Sequence, residues 1–591
     1  MIPFWKVVFG GCLGALIAFL LVNVFLFWII GSAISSIGSK EAEPSVPKGA
    51  ILKVDLSQPI GEQGKDSFSF NPLVGSLDMG TSVSLLDAIR ALEVAATDPQ
   101  IKFVYIKADE LNMEIAHAEE LRTALVKFRE SGKPVVAYSQ SLSAGNYYLA
   151  SVADKVILNT YADVTINGMS SNLMYYKDLI DHLGIDIQLI RHGKYKSAGE
   201  PYIKSEMSAE NKEQYEKMLG TIWAVIADGV ASSRDFTAEQ FDAWIDNLEI
   251  TDARKALEKG LVDELWYDDQ VREYFCTLSG AKEPKDLKYV GLKDYAAAKV
   301  KPNLRAKEKI AVIYADGEIM MNDTGDGYIG NRFAREIAKA RADSSVKAVV
   351  FRVNSPGGSV QASFAIEREI ELLKQHKPVV ASYGSYAASG GYWISCNSDK
   401  IFSDKSTLTG SIGVFGLIPS FGKALKKNLY LNVFEVSTHK HGPMMSGMTP
   451  LDPEEEAVMQ QQIDGIYEDF VGRVASGRGL ETEAVDEIAQ GRVWAGADAI
   501  GIGLVDELGG LTDAIQYAAT MAGLEKYRIV EYPLIVPMYN QLLSSMNEQG
   551  TEQDIRMQAL PETAVQAARW MLNLRGPEIV SQMPYIVINF K

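Results

Sequence analysis

Two arrangements of apolar and polar residues alternate along the chain. Short β-branched runs such as Val346–Val353 are apolar for most of their length, which suits strands covered on both faces. Between such runs, apolar residues recur at helical spacing: Ala362, Ile366, Ile370 and Leu373 step by four, four and three, an amphipathic helix. Pro378–Ser382 reads as the next strand, and Ala387–Ile394 as a small-residue turn entering a helix. The same succession occurs earlier as Val104–Ile106, then Leu121, Leu125 and Phe128, then Pro134–Ala137. Strand–helix–strand order predicts right-handed parallel βαβ units in an α/β fold. Reactive groups of such sheets collect beyond the carboxyl ends of the strands.

A different pattern opens the sequence. Val7–Ile30 contains 24 residues with no charge and one amide, Asn23. At a rise of ~1.5 Å per residue this stretch crosses a ~30 Å hydrocarbon layer, and it exceeds the core of a cleaved signal peptide. It predicts one uncleaved N-terminal transmembrane helix. Lys6 beside the short leading end favours that end in the cytoplasm, with the remainder outside, in the periplasm of a Gram-negative bacterium and attached to its inner membrane. Residues 31–47, rich in Ser, Gly, Glu and Pro, read as a linker.

The rest of the chain is written twice. GLVDEL occurs at Gly260–Leu265 and again at Gly503–Leu508, an offset of 243. Lys133-Pro134-Val135-Val136-Ala137 recurs as Lys377-Pro378-Val379-Val380-Ala381 at 244, and Thr97–Ile106 mirrors Ala342–Phe351 at 245. Three blocks in register imply duplication of a whole domain rather than a short solenoid unit. The expected organisation is an anchor and linker over 1–46, a first repeat over 47–305, a second repeat over 306–540 and a C-terminal tail over 541–591. The tail, which includes Arg569-Trp570-Met571-Leu572, is expected to serve packing or subunit contact.

Charge and composition narrow the chemistry. Lys plus Arg number 58 and Asp plus Glu 76, a net charge of −18, the wrong sign for a broad nucleic-acid footprint. Cys12, Cys276 and Cys396 are far apart and form no CxxC, so neither a disulfide framework nor a cysteine zinc site is expected. His439 and His441 are one residue apart and read as loop residues rather than metal ligands. No metal and no cofactor is expected.

The differences between the copies carry more information than the matches. The second copy has Asn354-Ser355-Pro356-Gly357-Gly358-Ser359 after a strand, where the first has Asp109-Glu110-Leu111-Asn112-Met113-Glu114. It has Ala387-Ala388-Ser389-Gly390-Gly391-Tyr392 where, at the same offset, the first has Ser143-Ala144-Gly145-Asn146-Tyr147-Tyr148, so that Gly145 takes the place of Ser389. It has Thr409-Gly410-Ser411-Ile412-Gly413 where the first has Val164-Thr165-Ile166-Asn167-Gly168. A serine at a strand-to-helix turn presents its hydroxyl to a cleft. Flanking glycines admit a close backbone approach, and N–H groups at a helix start stabilise a developing oxyanion. A serine hydroxyl needs a base. A Ser–His arrangement is hard to build, because His376 lies at the strand end opposite Ser389 and His439 and His441 lie in a loop. A lysine serves if burial lowers its pKa, but composition does not select which one.

Arg352-Val353-Asn354-Ser355-Pro356-Gly357-Gly358, Tyr386–Ser395 and Leu408–Gly413 closely resemble the signal peptide peptidase A family, also called protease IV. Gly193-Lys194-Tyr195-Lys196-Ser197-Ala198 with Glu200-Pro201 is similar to the long form of that family. The resemblance spans essentially the whole chain. It implies tandem duplicated Clp protease/crotonase-like α/β domains. It implies Ser389 as nucleophile, Lys196 as general base, Ser411 as the residue that positions the lysine, and Gly358 and Gly390 as oxyanion donors. Lys194 would face away if the segment is a strand. Lys440, 244 residues after Lys196, lacks the GKYKSA context. The implied substrates are cleaved signal peptides and other hydrophobic peptides, degraded through an acyl-enzyme by a bowl-shaped homotetramer without metal or nucleotide. A crotonase-like enzyme acting on acyl-CoA thioesters and a non-catalytic membrane scaffold are the rival readings. Neither needs the serine at 389.

Overall fold

The computed structural model describes residues 44–64, 66–71, 76–321, 328–534 and 579–583. The expected membrane helix over Val7–Ile30 and most of the tail lie outside the described residues. Among the described residues no helix is long and apolar enough to cross a membrane.

The first repeat contributes strands β1 (Ala50–Asp55), β2 (Ile101–Lys107), β3 (Val135–Ser143), β4 (Lys155–Thr165), β5 (Asp186–His192), β6 (Glu264–Leu265) and β7 (Tyr289–Gly291), with helices α1 (Leu85–Thr97), α2 (Ile115–Arg129) and α3 (Ala144–Ala150). All but β5 form one sheet in the order β6-β4-β3-β2-β1-β7, parallel throughout. The second repeat contributes β8 (Lys309–Asp316), β9 (Glu318–Ile319), β10 (Tyr328–Ile329), β11 (Val346–Ser355), β12 (Gly357–Ser359), β13 (Val379–Ala388), β14 (Lys400–Ser403), β15 (Leu408–Gly410), β16 (Val414–Ser420), β17 (Val493–Ala495), β18 (Glu507–Leu508) and β19 (Arg528–Tyr532), with helices α4 (Val360–Lys374), α5 (Gly390–Trp393) and α6 (Pro453–Arg478). Its main sheet runs β17-β15-β13-β11-β8-β19, with β14 beside β13 and β18 beside β14. β11 is buried along almost its whole length, the signature of a central parallel strand between helical layers.

A third sheet belongs to neither repeat alone. Its order is β10-β9-β12-β20-β16-β5, where β20 (Ile579–Gln582) comes from the tail. β5 of the first repeat pairs antiparallel with β16 of the second, from His192 opposite Val414 to Asp186 opposite Ser420. The cores interlock as well. Leu86 of α1 packs with Ile310, Val312 and Leu511 of the second repeat, and Ala388, Leu408, Val493 and Met583 join the core of the first.

A buried ion cluster clamps the repeats together. Arg352 in β11 is fully buried. Its Nε donates to Glu62 at 2.8 Å, Nη2 to Glu120 at 2.7 Å, and Nη1 to Ser382 Oγ at 2.9 Å and the Tyr383 carbonyl at 2.8 Å. Glu62 also meets His117 Nε2 at 3.0 Å. Burial favours the neutral form of Glu62, but Arg352 and His117 outweigh it and hold the carboxyl down to about 2. Both carboxylates come from the first repeat and the guanidinium from the second.

Candidate active site

β13 ends at Ala388, and Ser389 follows with φ 56° and ψ −118°, a conformation that non-glycine residues rarely adopt. Hydrogen bonds hold it: the Ser389 amide donates to the Gly410 carbonyl at 2.8 Å, and the Trp393 amide to the Ser389 carbonyl at 2.8 Å. Ser411 also has a positive φ, 51°, with its amide donating to the Arg492 carbonyl at 2.6 Å. Two adjacent parallel strands, β13 and β15, thus end in a serine turned out of the sheet.

Lys196 is brought to this point by the β5–β16 pairing, which places the turn after β5 against the second repeat. Gly193–Lys196 lies in no strand, so the condition weighed for Lys194 is not met. Gly193 adopts φ 105°, a methyl group on it would fall 2.5 Å from the Gln490 backbone, and the Tyr195 amide donates to the Gln490 carbonyl at 2.9 Å. The segment is therefore a turn wedged against Gln490-Gly491. Lys196 is fully buried. Its Nζ lies 2.6 Å from Ser389 Oγ, 2.9 Å from the Ser411 carbonyl and 3.0 Å from Ser411 Oγ. Burial pushes the amine well below the ordinary lysine range. Space for the side chain comes from two glycines. A methyl on Gly491 would fall 2.6 Å from Lys196 Cβ, and one on Gly413 3.1 Å from Cδ. Lys194 is exposed, its amine 5.2 Å from the centre of the Tyr195 ring. Lys440 is exposed and paired with Glu454.

Gly358 and Gly390 face each other across the cleft. A methyl on Gly390 would lie 3.2 Å from the Gly358 amide nitrogen, and one on Gly357 would lie 2.6 Å from the Gly390 amide nitrogen and 3.0 Å from Ser389 Cβ. The two amide nitrogens therefore lie close together beside the serine, and a side chain on Gly357 or Gly390 would crowd the space there. Gly357 and Gly358 have φ of 99° and 147°, which glycine alone accepts without strain.

The equivalence of the copies shifts by one residue at this turn. The Tyr147 hydroxyl donates to the Leu261 carbonyl at 2.6 Å and the Tyr392 hydroxyl to the Leu504 carbonyl at 2.9 Å. Asp154 accepts from the Val135 amide as Asp399 does from the Val379 amide. Tyr147 and Asp154 thus match Tyr392 and Asp399 at 245, while Val135 matches Val379 at 244. The second copy carries one extra residue between Val379 and Tyr392, its strand running ten residues to Ala388 where the first runs nine to Ser143, so the counterpart of Ser389 is Ala144 rather than Gly145.

Two features were not read from the sequence. One is the clamp on Arg352. The other is Ser581 in β20, whose Oγ lies 2.6 Å from Ser389 Oγ. It sits 192 positions away with no local signal of its destination. His441 gathers with Asp452 and Glu455, but these carboxylates form the N-terminal cap of α6, with Asp452 accepting from the amides of Glu454 and Glu455 at 2.9 Å.

A duplicated α/β scaffold that buries an amine against a serine beside two convergent amides defines a hydrolase of the serine type. The model of the peptidase family S49 matches residues 127–282 and again 371–525, and that of the Clp protease family matches residues 301–402. Protease 4 of Haemophilus influenzae is 31% identical over 559 residues, covering 91% of this chain and 90% of that protein. Protease 4 of Salmonella typhi is 34% identical, covering 89% and 87%. The chloroplastic serine protease SPPA of Arabidopsis thaliana is 31% identical, covering 82% and 72%. The chain belongs to peptidase family S49 and is a serine protease of the signal peptide peptidase A type, with a duplicated domain of Clp protease-like fold.

Proposed function

We propose that the chain is a membrane-anchored endopeptidase that degrades cleaved signal peptides and other hydrophobic peptides with a Ser389–Lys196 dyad. The observation that carries this reading is the 2.6 Å contact between a fully buried amine and a strained serine hydroxyl. Lys196, kept neutral by burial, takes the Ser389 proton as Oγ attacks the peptide carbonyl. The carbonyl oxygen becomes an anion beside the amides of Gly358 and Gly390. Lys196 then gives the proton to the departing amine, and the amine leaves as the acyl-enzyme ester forms. Water attacks that ester with Lys196 again as base, and Ser389 regains its proton. Ser411 orients the amine through its carbonyl and hydroxyl. In this reading residues 47–305 supply the base and residues 306–540 the nucleophile.

The proposed setting is the bacterial inner membrane, with Val7–Ile30 as anchor, the N-terminus cytoplasmic and the catalytic part periplasmic. The proposed assembly is a homotetramer of copies joined head to tail. Support comes from the second repeat's counterpart of β5. The helix Lys177–Leu183 ends at left-handed Gly184 before β5, and Gly422–Leu429 ends at left-handed Tyr430. The residues that follow Tyr430 lie in no strand, with Phe434 87% and Val436 98% exposed. An apolar strand-like run left open where its twin is paired suits a second copy of the chain.

A fluorophosphonate probe tests the chemistry. Covalent labelling should map to Ser389 and vanish in Lys196→Ala. Labelling elsewhere, or none at all in an intact chain, overturns the dyad.

A further inference from the structure

Three neighbouring strands of the second repeat end around one side chain, that of Asn354. β8 runs beside β11 until Asp316 stands opposite Asn354, and the Gly317 amide then donates to the Asn354 carbonyl at 2.9 Å. On the other side the ladder between β11 and β13 breaks. Val353 lies opposite Tyr383 and Ser355 opposite Ala387, so Asn354 faces Gly384, Ser385 and Tyr386 together. Its side chain bridges the gap: Oδ1 accepts from the Tyr386 amide at 3.1 Å. The loop closes this tightly because Gly384 has no side chain. A methyl there would fall 2.4 Å from Glu62 Oε1 and 3.0 Å from Asn354 Cβ.

The other half of this buried carboxamide faces two acids. Nδ2 donates to Asp316 Oδ1 at 3.1 Å and to Glu114 Oε2 at 3.2 Å. The partners fix which way the amide points, since a backbone N–H donates and an ionised carboxylate accepts. Glu114 belongs to the first repeat, where it precedes α2 and makes no side-chain cap bond to it. In the first repeat Asp109 stands 245 positions before Asn354, and its Oδ1 accepts from the Gln140 amide at 2.8 Å. Both copies thus staple a strand end through a side-chain oxygen. The residue of the second copy also carries a donor, which two facing carboxylates require.

We infer that Asn354 is a positioning residue for peptide hydrolysis: its carboxamide sets the spacing between the glycine pair and Ser389 and ties both to the first repeat through Glu114. This rests on the assignment of Ser389 and Lys196 as the reacting pair. Gly357 follows Asn354 by three residues, and Ser389 follows Tyr386 by three, so one side chain holds the starting points of both turns. Lys196 enters from the first repeat, and the Glu114 contact gives the nucleophile's side of the cleft a hold on the repeat that carries the base. The hydrogen bonds of Asn354 reach no reacting atom; it acts through the two strand ends. A displacement of about 1 Å at such a site costs on the order of 10²-fold in rate.

The test exchanges donor and acceptor in the full chain. kcat and KM for one peptide ester are measured across pH for the parent, Asn354→Asp, the double variant Asn354→Asp/Glu114→Gln, and Asp109→Ala. Asn354→Asp keeps an acceptor for the Tyr386 amide but sets a third carboxylate against Glu114 and Asp316. Its kcat should fall about 10- to 100-fold at about pH 8, with KM within about threefold. The deficit relative to the parent should shrink as pH falls, because a proton taken up by the three carboxylates restores a donor. The other charged groups facing Glu114 are His117 and Glu62, which the parent shares, so the comparison with the parent isolates the added carboxylate. The double variant has two carboxylates again and an amide donor at position 114, and it should recover about five- to tenfold of the lost kcat. Asp109→Ala, at the staple remote from the serine, should lower the melting temperature and change kcat by less than about twofold. Parent-like kcat in Asn354→Asp overturns the inference. So does a deficit that is flat with pH and not relieved in the double variant, whatever the melting temperature. If Asn354→Asp fails to fold, the double variant decides: recovered turnover upholds the inference, and a folded but inactive or an unfolded chain overturns it. Absence of fluorophosphonate labelling at Ser389 in the parent would instead sink the dyad, and this inference with it.

Discussion

After β3 the chain enters α3 through Ser143, whose φ of −117° is ordinary. Its Oγ accepts from the Asn146 amide at 3.4 Å while Asn146 Oδ1 accepts from the Ser143 amide at 2.8 Å, a reciprocal cap. After β13 the chain enters α5 through Ser389, with a positive φ and no side-chain cap. Where the first repeat has Asp109, whose carboxylate and carbonyl accept from Gln140 and Ser141, the second has a bare glycine pair. A cap uses the hydroxyl to hold the helix start. At Ser389 the helix start is held by backbone bonds instead, and the hydroxyl is left for Lys196. The first repeat kept the relaxed turn and supplied the amine; the second kept the strained turn and supplied the hydroxyl.

The largest break in this comparison is removal of either member of the proposed dyad. Ser389→Ala and Lys196→Ala should each lower kcat for peptide hydrolysis by at least about 10⁴-fold. Ser389→Ala should remain folded, judged by an unchanged circular dichroism spectrum, because Ala144 already fills the matching place. Lys196→Arg should be equally inactive, since a guanidinium stays protonated.

A second test concerns the left-handed residue beside the lysine. Leu248 (φ 54°) and Gly491 (φ 77°) are 243 residues apart, the offset of the GLVDEL repeat. Leu248 is 71% exposed, whereas Gly491 abuts Lys196. Gly491→Leu should cost on the order of 10²-fold in kcat by displacing the amine, and Leu248→Gly should change kcat by less than about twofold.

Ser411→Ala should lower kcat about ten- to a hundredfold, because the buried amine loses one of its partners. In the unmodified protein, activity should rise with pH through one ionisation well below the ordinary ~10.4 of lysine. The sign follows from burial: the depressed amine is active once deprotonated, so rate is lost as pH falls through its folded value. A profile centred near 10 would show that Lys196 is solvated.

The smallest effect has opposite signs in the two repeats. Ser389→Gly should raise stability by about 1 kcal/mol by relieving the positive φ, while abolishing turnover. Ala144→Gly, in the first turn of a regular helix, should lower stability by about 0.5–1 kcal/mol. Thermal melts of the two variants beside the parent check both.

Much of this was legible in the sequence because it is local or repeated. Apolar runs and four-residue steps gave the βαβ units, and the copies gave each other's boundaries. Ser389, Gly358 and Gly390 stood out where the second copy departs from the first. What was not legible depends on contacts distant in sequence or on a one-residue shift. Ala144 rather than Gly145 matches Ser389 because the strand before the turn is one residue longer in the second copy, and a fixed offset hides it. Lys196 sits in a turn because Gly193 must meet the backbone of Gln490, which lies far along the sequence in the second repeat. Arg352 looked like one more residue of a buried strand, and only the approach of Glu62 and Glu120 explains a charge there.

The 193 residues between Lys196 and Ser389 also bear on biosynthesis. Domains fold largely as units in the order they leave the ribosome, and contacts this distant form late. A nascent chain interrupted before the second repeat carries the amine without the hydroxyl, and its lysine turn lacks the Gln490-Gly491 surface that buries it. Such a fragment holds an ordinary protonated lysine and no nucleophile. Under the proposed dyad, proteolytic competence is withheld until translation has passed the second repeat, so the split site acts as a built-in checkpoint against hydrolysis by unfinished molecules.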